Sequence, residues 1–109
     1  MPPPYKNSLW LQGVVTSHPV VKSLSERTKV TAFYLTMVER WVNSSGEPRE
    51  RKNRVLVEVV GRDSAYVAKN VEMGTWVSIE GYIRSEQFKG QEIIKVRTFC
   101  IDIWEEGDG

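Results

Sequence analysis

The chain has one histidine, His18, one cysteine, Cys100, and no long apolar run. Each scarcity excludes something. A catalytic triad or a metal centre needs several positioned acids, bases, nucleophiles or ligands, and a lone His and a lone Cys far apart in sequence do not supply them. C-x-x-C, H-E-x-x-H, G-x-S-x-G and phosphate-loop patterns are all missing. One cysteine cannot close an intrachain disulfide, so nothing points to an oxidising compartment. No stretch approaches the roughly 18 apolar residues of a membrane-spanning helix. The start, Met1-Pro2-Pro3-Pro4, lacks the charged and apolar regions of a secretory signal. The expectation is a non-enzyme without cofactor or metal, away from the membrane, in the cytoplasm.

What is present is a single-domain composition: 109 residues, 40% hydrophobic and 27% charged. The formal net charge of +1 hides an asymmetry. Asp102, Glu105, Glu106 and Asp108 supply four of the 14 acids and no base follows them, leaving residues 1–101 with 15 bases against 10 acids. A mildly basic body with an acidic end permits polyanion binding without establishing it.

Residues 1–8 read as a flexible Pro-rich arm, residues 9–104 as the domain and residues 105–109 as the acidic end. Within the domain, Leu9 to Val15 reads as a strand with Gly13 as a bulge or a point of close approach. Val20 to Thr28 reads as a loop. Lys29 to Trp41 alternates, with Phe33, Leu35 and Met37 on one side and Ala32, Tyr34 and Thr36 on the other. Asn43 to Pro48 is a turn signal, and the charged Arg49 to Arg54 leads into a strand over Val55 to Val60. Asp63 or Ser64 is positioned to cap a short helix over Ala65 to Asn70. A fourth strand spans Thr75 to Ser85, Lys89-Gly90-Gln91 makes a tight turn, and a fifth strand runs from Glu92 to Trp104. Five strands with one short helix between the third and fourth is the order of an all-β, Greek-key OB-fold barrel, a fold that binds oligonucleotides or oligosaccharides.

The chemistry the chain does carry is aromatic rings interleaved with bases, the pairing used on single-stranded nucleic acid, where rings stack on bases and cations follow the phosphates. Trp41, Tyr82 and Phe88 are the candidate stacking residues. Arg40, Arg51, Lys52, Arg54, Arg84 and Lys89 are the candidate phosphate contacts, with Lys95 and Arg97 along one face of the fifth strand. Trp10, Phe33, Trp76 and Phe99 are assigned to core or rim packing, and Cys100 to a small buried apolar role. Glu58 and Glu80 at outward positions leave room for a different class, a barrel that docks proteins.

Several stretches resemble the bacterial single-stranded DNA-binding protein family. These are Asn7-Ser8-Leu9-Trp10-Leu11-Gln12-Gly13, then Pro19, then Val38-Glu39-Arg40-Trp41, then Gly46-Glu47-Pro48-Arg49-Glu50-Arg51. The helical region Ala65 to Gly74 follows, and the most specific stretch is Gly74-Thr75-Trp76-Val77-Ser78-Ile79-Glu80-Gly81-Tyr82-Ile83-Arg84. Phe88 stands where the family has a stacking Trp, and the likeness spans about Asn7 to Ile103. The chain departs from the pattern at Arg54 and Val55, where the family has Trp and His, at Val60, where it has Phe, and in a shortened loop at Lys89-Gly90-Gln91. Nothing within the 109 residues resembles the family's long tail with its acidic, partner-recruiting end. The resemblance implies an OB-fold that binds single-stranded DNA in replication, recombination or repair. It also implies a homodimer or homotetramer, association with the nucleoid and contact with other replication proteins. The related primosomal replication protein N family, shorter and active in replication restart, is the alternative.

Overall fold

The computed structural model describes residues 2–104, so the expected acidic end at 105–109 lies outside the described residues. The strands are β1 (Leu9–Val15), β2 (Val20–Ser23), β3 (Lys29–Val42), β4 (Pro48–Val60), β5 (Trp76–Phe88) and β6 (Gln91–Trp104), and the helix α1 (Asp63–Asn70) lies between β4 and β5. Hydrogen bonding runs β1-β5-β6-β4-β3, and a β1–β3 pairing at Val14↔Thr36 and Val15↔Leu35 closes these five strands into a barrel. Every neighbouring pair is antiparallel except β4 with β6, which run parallel from Val57↔Val96 to Val59↔Thr98. The result is the expected OB-fold.

The core follows from the alternation. Phe33, Leu35, Val57, Val59, Val77, Ile79 and Val96 point into the barrel with Val15 and Ile101, and burying each such side chain contributes about 1.5–3 kcal/mol. Val67 of α1 and Val71, the residue just after it, close one end of the barrel. At Gly13 on β1 a Cβ would collide with the Thr36 carbonyl oxygen of β3, which is the close approach its sequence position suggests. Between β5 and β6, Lys89 (φ 51°) and Gly90 (φ 78°) make a two-residue turn with both residues left-handed, the geometry that matches the twist of a hairpin.

Several expectations need correction. The segment read as a loop from Val20 contains β2, which adds to β3 from Val20↔Ala32 to Ser23↔Lys29. The charged stretch Arg49 to Arg54 is strand, not a lead-in, because β4 pairs with β3 without a break from Val42↔Pro48 to Val30↔Val60. The helix begins at Asp63 after an Arg62 N-cap that offers no side-chain bond. Ser64 does not cap it, because its hydroxyl and carbonyl are both taken by the buried Thr31 hydroxyl, at 2.9 and 2.8 Å. Pro-rich residues 2–8 lie outside any element. Asn7 is nevertheless tied to β5, donating to the Ile83 carbonyl (2.7 Å) and accepting from the Ile83 amide (2.8 Å).

Candidate nucleic-acid interface

Two long hairpins, β3–β4 and β5–β6, run past the barrel, and their outer faces form one surface because β4 and β6 pair between them. Strand alternation decides which side chains share that surface. On β3 and β4 the opposed pairs Tyr34↔Leu56, Thr36↔Arg54, Val38↔Lys52 and Arg40↔Glu50 face outward. On β5 and β6, Tyr82 lies opposite Arg97 and Arg84 opposite Lys95, with Glu86 and Phe88 farther along. Arg40, Lys52, Arg54, Tyr82, Arg84 and Phe88 therefore share one face, with Lys89 at the β5–β6 turn. Trp41 and Arg51 lie on the other face of the β3–β4 ribbon, with Arg49 opposite Trp41. Trp41 and Arg49 border an open concavity of about 590 Å³ with Arg40 and Pro48.

The aromatic content of the outer face exceeds the expectation. Phe99, assigned to packing, is exposed, because β6 carries an extra residue between Thr98 and Cys100 where it opposes Glu80 and Gly81. Such a bulge re-aims a side chain, and here the Phe99 ring stacks on Tyr82 with centroids 6.3 Å apart. Tyr34, which drew no functional expectation, lies under the Arg54 guanidinium at 3.9 Å. The pair borders a concavity of about 290 Å³ that also includes His18 and Lys22. Alternation had already put Tyr34 on the side away from the core, and that was the available signal. Lys89 lies over the Phe88 ring at 5.4 Å.

Trp10 and Trp76 are also exposed surface residues and not part of the core, and Cys100 is exposed. They lie on the outer face of the β1–β5–β6 sheet, where Trp10 is opposite Glu80 and Trp76 opposite both Val14 and Trp104. Of the four aromatics assigned to packing, only Phe33 is in the core.

The basic residues divide by charge pairing. Lys95 and Arg97 are buried and hold the equally buried Glu58, with Lys95 Nζ and Arg97 Nη2 each 2.9 Å from its carboxylate. Glu58 thus faces outward but is not a free surface acid. Burial opposes its ionisation, while hydrogen bonds from Lys95 and Arg97 and their charges outweigh that and hold its carboxyl below the ordinary value. Burial likewise works against the charge on Lys95, and bonds to Glu86 and Glu58 overcome it and raise its pKa. Arg40 pairs with Glu50 at 3.3 Å and Arg84 with Glu86 at 3.4 Å, both at the surface, where such pairs are weak. Among the described residues Arg51, Lys52, Arg54 and Lys89 enter no ion pair. No group of His, Cys, Asp or Glu among them could hold a metal ion.

A closed five-stranded barrel whose outer sheet carries exposed rings beside unpaired cations defines an OB-fold binding protein. The single-strand binding protein family model matches residues 6–103, and the chain belongs to that family. It is 29% identical over 99 residues to the single-stranded DNA-binding protein of Aquifex aeolicus, covering 89% of this chain and 67% of that one. The single-stranded DNA binding protein from Thermus aquaticus superposes with a TM-score of 0.80 at 22% identity, over 94% of this chain and 52% of that chain. The Plasmodium falciparum SSB, in its complex with ssDNA, superposes with a TM-score of 0.83 at 18% identity, over 96% of this chain and 100% of that chain. This chain thus spans about half the length of the Thermus protein. No helix among the described residues is long and apolar enough to cross a membrane.

Proposed function

We propose that this protein binds single-stranded DNA with little regard to sequence and without catalysis, in replication, recombination or repair. The observation that carries the reading is the outer face of the two hairpins, where the exposed rings of Tyr34, Phe88 and Phe99 alternate with Lys52, Arg54 and Lys89. Flat rings accept any unpaired base, and the cations neutralise phosphates, which together give sequence-tolerant binding. Family membership supports the same reading. Trp41 with Arg49 and Arg51 extends the surface round the edge of the β3–β4 ribbon, so a strand passing over this hairpin meets a ring on either side.

The protein acts as a homodimer or homotetramer in the cytoplasm, associated with the nucleoid. Residues Leu9 to Gln12 of β1 pair only with β5, which leaves one backbone edge free for a second copy, and the exposed Trp10, Trp76 and Trp104 continue that surface. The protein-docking alternative loses one of its two supports, because Glu58 is neutralised within the sheet.

Anisotropy of a labelled oligo-dT at low and moderate salt, with duplex as competitor, tests the function. Preferential binding of the single strand that weakens steeply with salt is expected. Equal affinity for duplex, or no affinity for either, refutes it.

A further inference from the structure

The Glu86 carboxylate sits where three cations converge. Lys95 Nζ donates to it at 2.8 Å, Arg84 Nε is 3.4 Å away and Arg97 Nη2 is 3.9 Å away. The two acids of this cluster differ in depth. The Glu58 side chain is 5% exposed and fixed beneath the cations, whereas the Glu86 side chain is 41% exposed. Lys95 and Arg97, at 9% and 10%, each lie between the buried Glu58 and the more exposed Glu86 as ion-pair partners of both. Three cations against Glu58 alone leave an excess of two positive charges, which Glu86 reduces to one. Hydrogen bonding from Lys95, helped by the nearby cations, holds the Glu86 carboxyl below its ordinary pKa, so it is ionised at neutral pH.

We infer that Arg84, Lys95 and Arg97 form a phosphate subsite which the Glu86 carboxylate fills in the free protein and which a DNA phosphate takes over by displacing it. A carboxylate and a phosphate oxygen are interchangeable acceptors for the same charged donors. Glu58 stays in place after the exchange and keeps Lys95 and Arg97 aimed at the surface, so the donors are ordered before the strand arrives. Glu86 also stands between the two rings of β5, four residues after Tyr82 and two before Phe88 on the same face. A phosphate there lies between two stacking positions. The competing carboxylate lowers affinity and keeps a concentrated positive charge covered until a strand is present. This inference rests on the proposed DNA binding.

The test is oligo-dT affinity across a salt series for the wild type, Glu86→Gln and, as a control for net charge, Glu72→Gln. Glu86→Gln should bind on the order of fivefold tighter at low salt, with the slope of log K against log salt steeper by about 0.7, because the phosphate at this subsite then releases a counterion where in the wild type it displaces the carboxylate. Glu72→Gln should change affinity less than twofold. Should Glu86→Gln not fold, Glu86→Asp, whose carboxylate is one methylene farther from Lys95, must show tighter binding in its place. If the wild type binds but both Glu86 variants match it or bind more weakly, Glu86 is a structural bridge and the inference is wrong. An equal gain in Glu72→Gln also overturns it, since bulk charge then accounts for the effect. A wild type that binds no DNA overturns the functional reading itself.

Discussion

Phe88 is 58% exposed at the end of a strand, so its ring contributes little to the core and is available to a ligand. Replacing it by Ala should weaken oligo-dT binding by roughly 1–3 kcal/mol, with the melting temperature almost unchanged. A lower melting temperature with intact affinity would make Phe88 a packing residue. Glu58 is the opposite case. Its removal leaves Lys95 and Arg97 buried with only the more exposed Glu86 to oppose them, and Glu58→Ala should destabilise the fold by roughly 3–5 kcal/mol in denaturant titration. The same cluster sets a pH dependence. Glu58 and Glu86 have folded pKa values below the ordinary 4.5, so their stabilisation is complete above that value and is lost as pH falls through the lower folded values. Lys95 is raised above 10.5, so its contribution is complete below that value and is lost as pH rises through the folded one. Melting temperatures recorded from acid to alkaline pH should show a plateau between these limits, and Glu58→Ala should flatten both shoulders.

At the scale of elements, legibility tracks burial. Phe33, Leu35 and Met37 against Ala32, Tyr34 and Thr36 could be read because one side of β3 faces the core, and Val77 and Ile79 on β5 likewise. Arg49 to Arg54 could not, because that half of β4 runs past the barrel and is exposed on both faces, so no alternation marks it as strand. The β2 residues Val20 to Ser23 are all exposed for the same reason. For the proposed binding face, the rings and bases were legible as an inventory along the chain. The pairing of Glu58 with Lys95 and Arg97 was not, since those partners are 37 and 39 residues apart and meet only through the parallel β4–β6 contact. Phe99 was misassigned because a bulge shifts the phase of β6, which no local pattern announces. Gly13 was legible as a special position, and its reason is now specific. Gly13→Val would drive a branched side chain into the Thr36 carbonyl and the Met37 side chain. It should destabilise the protein by about 1–3 kcal/mol or more in thermal or denaturant melts.

For the whole molecule, the free edge of β1 and the ring-bearing outer face of the β1–β5–β6 sheet lie on one side. A strand edge without an inward charge or proline invites pairing, and several barrels on one strand raise the effective concentration of each for the next stretch of DNA. Light scattering at micromolar concentration should therefore give two or four times the chain mass of 12.5 kDa. A value near the single-chain mass would show that the edge is left unpaired. The placement of the four tryptophans has one more consequence. Trp10, Trp41, Trp76 and Trp104 are 69%, 43%, 52% and 56% exposed, and none is in the core. Indole emission in the free chain thus comes from rings already in water, and melting the barrel moves them from one wet setting to another. The protein's intrinsic fluorescence should report poorly on whether it is folded and well on what touches it, with Trp41 answering to a bound strand and the other three to a neighbouring copy.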